Sequence, residues 1–138
     1  MILLDEPGVL RIFYEEKSGL QVHEWLNYNP ENRDRLILEL LEQIYQLLIE
    51  YPVEKVLVKS DHTRGVFSPE IQKFIQDVQF PRFLTDTSLH FVATVTPTNQ
   101  LAKSGTKLWE VQLRQNSSIA MYDAESEAKA REWLDQVG

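Results

Sequence analysis

The chain has 138 residues, with 21 acidic against 14 basic side chains, a formal net charge of -7 and no cysteine. That length fits one domain able to bury roughly two thirds of the surface its unfolded form exposes. The missing thiols exclude disulfides, thiolate metal sites and cysteine nucleophiles, and the acidic balance, with no basic patch to override it, argues against nucleic acid and anionic membrane surfaces as partners.

Met1 to Pro7 has neither the positive leader nor the long apolar core of a signal peptide, and no apolar run approaches the ~20 residues that span a bilayer. A soluble cytoplasmic protein is expected. Val9 to Tyr14 and Leu20 to Leu26 read as strands that pair antiparallel, joined by a turn in which Gly19 supplies a positive φ. Asn29-Pro30-Glu31 is expected to open a long helix, because Leu36, Leu40, Ile44, Leu47, Leu48 and Tyr51 recur at the three-to-four spacing of a buried stripe. Pro52 stops it. Val56 to Val58 then form a short apolar strand, followed by a polar loop from Ser60 to Phe67, and Ser68-Pro69 carries the signature of an N-cap with proline at the first helical position.

Ile71, Phe74, Ile75 and Val78 mark the next helix, which Phe80-Pro81-Arg82-Phe83 should end or kink. Leu89 to Thr96 is a strand. A helix is expected from Pro97 to about Gln115 on Leu101, Leu108, Val111 and Leu113, interrupted by Ser104-Gly105-Thr106. Ser118 to Tyr122 is the last strand, and Asp123 is expected to cap a final helix with Ala128, Trp133 and Leu134 on its inner face. The order is ββαβαβαβα, an α/β fold with a mixed five-stranded sheet, its N-terminal strand antiparallel. Polar residues alternating with Phe91, Ala93 and Val95 suggest one wet face, with helices mainly on the other.

A hairpin, three helix-linked parallel strands and a closing helix resemble the STAS domain, the fold of anti-sigma-factor antagonists. Phe80-Pro81 near a helix end and the Tyr122-Asp123 step, followed by Ala124-Glu125, resemble more closely a group of small bacterial STAS-like proteins. The resemblance covers nearly the whole chain. It implies a non-enzymatic regulatory or protein-interaction module, in some members switched by phosphorylation of a serine or threonine after the third strand. The family pattern there is Asp-Ser followed closely by Gly, whereas this chain has Asp61-His62-Thr63-Arg64-Gly65 and then Ser68-Pro69. Thr63 matches by order and Ser68 by its place at the helix start.

The loop residues Asp61, Thr63, Arg64 and Ser68 are the candidates for contact with a protein partner, since a loop held by strand and helix is where recognition groups sit and Arg64 suits a carboxylate or phosphate. Their plain alternative is a solvated loop in which Asp61 makes a local turn bond and Ser68 only caps. Ser60, Asp61 and His62 have the residue types of a hydrolase triad, but adjacent residues point different ways and cannot relay a proton. His23, His62 and His90 lack metal-ligand spacing, and Gly65 and Gly105 are lone glycines, so no metal, nucleotide, cofactor or catalytic residue is expected. Trp25, Tyr28 and Trp109 either line a surface or pocket or act as lids on the core. The competing function is binding of a small or lipid-like ligand between sheet and helices. Nothing indicates a homo-oligomer.

Overall fold

The computed structural model describes residues 1–95 and 119–137. Within them a six-stranded sheet runs in chain order, β1 (Ile2–Glu6), β2 (Leu10–Glu15), β3 (Leu20–Trp25), β4 (Lys55–Lys59), β5 (Phe91–Val95) and β6 (Ala120–Ala124). β1, β2 and β3 are antiparallel neighbours, and β3 through β6 are parallel. The class is α/β with a mixed sheet.

The sheet has six strands rather than the five expected. Ile2–Glu6 is too short and too acidic at its end to declare itself alone. It becomes a strand because Gly8, at φ 74°, turns the chain back so that β1 pairs with β2 and Leu4 faces the core. Gly19, at φ 65°, closes the β2–β3 hairpin as its position predicts.

Asn29 does not start the long helix. Pro30–Asn32 form a separate 3₁₀ turn, and α1 (Asp34–Glu50) begins beyond it. Its buried residues, Ile37, Leu40, Leu41, Ile44 and Leu48, lie on the stripe read from the sequence, broadened by Ile37 and Leu41. After β4, α2 (Pro69–Phe74), a π-helical segment (Ile75–Gln79) and α3 (Phe80–Asp86) follow without a break. Phe80-Pro81 therefore does not end the helix; it sits where the π-helical segment passes into α3. Pro81, which has no N–H to give, follows directly on a widened turn in which the Phe80 N–H reaches back to the Ile75 carbonyl in a π-type bond. The wider turn shifts the helical phase. Val78 faces solvent, and Gln79 turns inward to donate from Nε2 to the Leu41 carbonyl of α1 at 2.9 Å.

The expected helix over 97–115 lies outside the described residues. β6 runs two residues past the predicted end at Tyr122, so Asp123 is a strand residue and not a cap. Ser126 caps instead, its hydroxyl accepting from the Lys129 N–H at 3.2 Å, and α4 spans Glu127–Gln136 with Ala130 and Leu134 buried and Ala128 exposed.

Two apolar clusters separate the faces of the sheet. Leu10, Ile12, Trp25, Val56 and Val92 pack against α1, α2, the π-helical segment and α3, while Leu20, Val22, Leu57, Ala93 and Val95 pack against α4. Strand alternation sends neighbours such as Val56 and Leu57 to opposite sides.

On the α1 face β3 carries two buried polar residues. Gln21 donates from Nε2 to the Leu47 and Tyr51 carbonyls, each at 3.0 Å, and so satisfies the end of α1. The ring Nε2 of His23 lies 2.9 Å from Gln21 Oε1. Because that amide spends its N–H groups on α1, its oxygen accepts and His23 carries the Nε2 proton. Burial without a counter-charge lowers the His23 pKa from 6.5 to about 3. The unfolded chain then binds the extra proton first, so stability is fully present above pH 6.5 and falls as the pH drops toward 3, by up to about 1.4 kcal/mol per unit. Denaturant titrations at pH 7.5, 6 and 5 should show this decline, and His23→Leu, though less stable at pH 7.5, should show a shallower one.

Candidate functional site

The Ser60 to Phe67 loop leaves the carboxyl end of β4, the edge where parallel α/β sheets place recognition groups. It is locked to the segment after β3. The Arg64 N–H donates to the Leu26 carbonyl at 3.1 Å, the Tyr28 N–H donates to the Arg64 carbonyl at 2.9 Å, and Asn27 and Arg64 form an isolated parallel bridge. Thr63 donates its hydroxyl to the Trp25 carbonyl at 2.5 Å, and the Ser60 and Tyr28 hydroxyls are 2.9 Å apart. Beneath them Trp25, Tyr28 and Phe67 form an aromatic triangle with ring centroids 4.3 to 5.5 Å apart.

Gly65 makes this close approach possible. Its φ is 75°, and a Cβ there would lie 3.2 Å from Asn27 Oδ1 and 3.4 Å from the Asn29 N–H nitrogen. Asn27 Oδ1 already accepts from that Asn29 N–H at 2.9 Å, so it has little freedom to yield.

The four sequence-selected residues separate into two kinds. Thr63 is 1 % exposed and Ser68 is half-buried, whereas Arg64 faces solvent and Asp61 is partly exposed. Ser68 caps α2 by accepting from the Ile71 N–H at 3.3 Å and also donates to Asp34 Oδ2 at 2.7 Å, tying the starts of α1 and α2 together. Asp61 Oδ2 lies 3.4 Å from Nε2 of the exposed His62. Among the described residues the Arg64 guanidinium makes no ion pair. The displayed groups are thus Asp61, His62 and Arg64, and Thr63 holds the loop from below.

Trp25 and Tyr28 are core residues, each 2 % exposed, and Trp109 lies outside the described residues. Sequence reasoning missed Asn27, Asp34 and Phe67 as the groups that hold the loop. Gly65 was the one signal of a close backbone approach. No group of three or more His, Asp or Glu side chains able to hold a metal ion occurs among the described residues. Between the sheet and its helices, a cavity of about 20 Å³ lies among His23, Ile44, Val56, Phe83 and Val92, space for one water at most.

Comparison of the chain with protein-family models, curated proteins and solved structures finds no match.

Gly65→Ala should cost about 1–2 kcal/mol, from the positive φ and the contact with Asn27, and Thr63→Val about 1–3 kcal/mol, from a buried hydrogen bond lost. Denaturant unfolding with unchanged m-values is the measurement.

Proposed function

We propose that the chain is a non-enzymatic regulatory module of STAS type that binds a protein partner through the Asp61 to Ser68 loop and the start of the helix after it. The observation that carries this reading is the contrast within the loop. Its backbone is bonded to Leu26 and Tyr28 over a buried aromatic triangle, while the side chains of His62 and Arg64 are exposed. A pre-ordered loop gives up little conformational entropy on association, and a free guanidinium is well suited to a carboxylate or phosphate on a partner.

Of the two hydroxyls considered for phosphorylation, this reading keeps only Ser68. Thr63 has its hydroxyl on the Trp25 carbonyl beneath the loop, where a kinase would reach it only after the loop opened. A phosphate on Ser68 would lose the bond from the Ile71 N–H and bring about two negative charges against Asp34, loosening the contact between the starts of α1 and α2. The lipid-like ligand reading draws no support from a cavity of about 20 Å³.

Affinity capture from a cell lysate with the wild type and with an Asp61→Lys, Arg64→Glu double variant tests the surface. Partners held by the wild type should be lost with the variant while its unfolding midpoint stays close to wild type. Equal recovery by both proteins would remove this loop from the interface. Ser68→Ala should lower stability by about 1 kcal/mol through the lost cap, read by the same denaturation.

A further inference from the structure

The α4 face of the sheet carries an ion network that the partner-binding reading does not use. Arg11 on β2 donates from Nε to Glu24 on β3 at 2.9 Å, and the other oxygen of Glu24 lies 3.2 Å from the Lys59 ammonium on β4. Lys59 in turn meets Glu127 of α4 at 3.0 Å. Glu127 accepts from Arg131 Nε at 2.8 Å, and Arg131 closes the chain on Glu15 of β2 with two bonds of 2.7 and 2.8 Å. The six charges alternate in sign and cancel, joining three strands to one helix. At the other end of α4, Lys55 donates to the Leu134 carbonyl at 2.6 Å.

The apolar anchorage of α4 lies on the β5 and β6 side: Ala130 and Leu134 are buried, and half-buried Trp133 stacks on Tyr122 at 5.4 Å and meets Phe91 edge-on at 6.2 Å. It is narrower than that of α1, which buries five large aliphatic residues, and toward β2, β3 and β4 the helix presents Glu127 and Arg131 to the ion network. A helix of ten residues is marginal in water by itself, so α4 is helical only while it is docked. The network residues are 17 to 43 % exposed, which leaves their attraction open to screening. Hydrogen bonds from Arg131 hold both Glu15 and Glu127 below the ordinary carboxylate range, as expected of groups that stay ionised where they are.

We propose that α4 is an electrostatic latch, a helix whose docking depends on this ion network as well as on its apolar contacts, so that loss of the network lets it go as a unit while the rest of the fold stands and thereby uncovers the apolar strip of Leu20, Val22, Leu57 and Val95. The device responds to whatever competes for its charges, whether salt or a charged partner.

Hydrogen exchange read by mass spectrometry on the whole chain tests it. In the wild type, raising NaCl from about 0.1 to about 1 M should speed exchange across Glu127–Gln136 and leave Asp34–Glu50 unchanged. Arg131→Gln at low salt should speed the same amides about tenfold, with little further response to salt. Lys129→Gln, which breaks only the exposed i,i+4 pair with Glu125, should leave them as in the wild type. Salt-independent exchange in α4, equal acceleration in α1 and α4, or the same gain from Lys129→Gln as from Arg131→Gln would each overturn the latch.

Discussion

The parallel pairing of β3 with β4 is the constraint on which the rest of the molecule depends. It runs in register from Leu20 with Lys55 to Glu24 with Lys59, and the chain does not abandon it where the strands end. Asn27 and Arg64 resume it as a single bridge three residues beyond Glu24, with the intervening Trp25 carbonyl taken by the Thr63 hydroxyl. The loop is therefore an extension of the sheet more than a connection laid over it. The aromatic triangle fills the space beneath, where α1 and α2 would otherwise leave a gap at the rim.

Within the α1 face, cohesion does not come from apolar burial alone. Two buried glutamines from different elements bond to the backbone of α1, Gln79 at the Leu41 carbonyl and Gln21 at Leu47 and Tyr51. An unsatisfied amide in such a place costs on the order of 1–3 kcal/mol, so each bond restricts how α1 can slide along or rotate over the sheet. Burial makes α1 stick, and the two amides fix where it sticks. His23 completes the arrangement by donating to Gln21, at the cost of an imidazole whose ionisation in the folded chain is pushed down to about pH 3.

How much of this could be read from the residues depended on whether the cause was local. The apolar stripe of α1, the glycine turn between β2 and β3, the Val56 to Val58 run and the Ser68-Pro69 helix start are local signals, and the fold uses each of them. β1 was hidden because an edge strand of five residues exists only by its pairing with β2. Phe80-Pro81 misled because nothing in the sequence announces the π turn that precedes Pro81 and carries the helix on through it. Asp123 and Ser126 are both acceptable caps, and the choice fell to the pairing of β6 with β5, which carries Asp123 into the sheet opposite Thr94. At the candidate site, the loop and Arg64 were legible as a polar segment after a strand. The burial of Thr63 was not, since it follows from a carbonyl 38 residues earlier in the chain. The ion network was illegible for the same reason, its closing pair being separated by 116 residues.

The two faces meet at the ends of β3 and β4 through adjacent residues. Glu24 and Lys59 point to the α4 side and belong to the ion network, while Trp25 and Ser60, one position further on, point to the α1 side and hold the loop. The same few ångströms of backbone thus support two structures held by different forces. Under the loop, buried hydrogen bonds and aromatic packing are little affected by ionic strength, whereas the charges under α4 are partly wet and screened. Strand ends fixed from the α1 side can tolerate release of the helix on the other. For that reason a helix held in part by ion pairs is compatible with a firmly bonded loop one residue away.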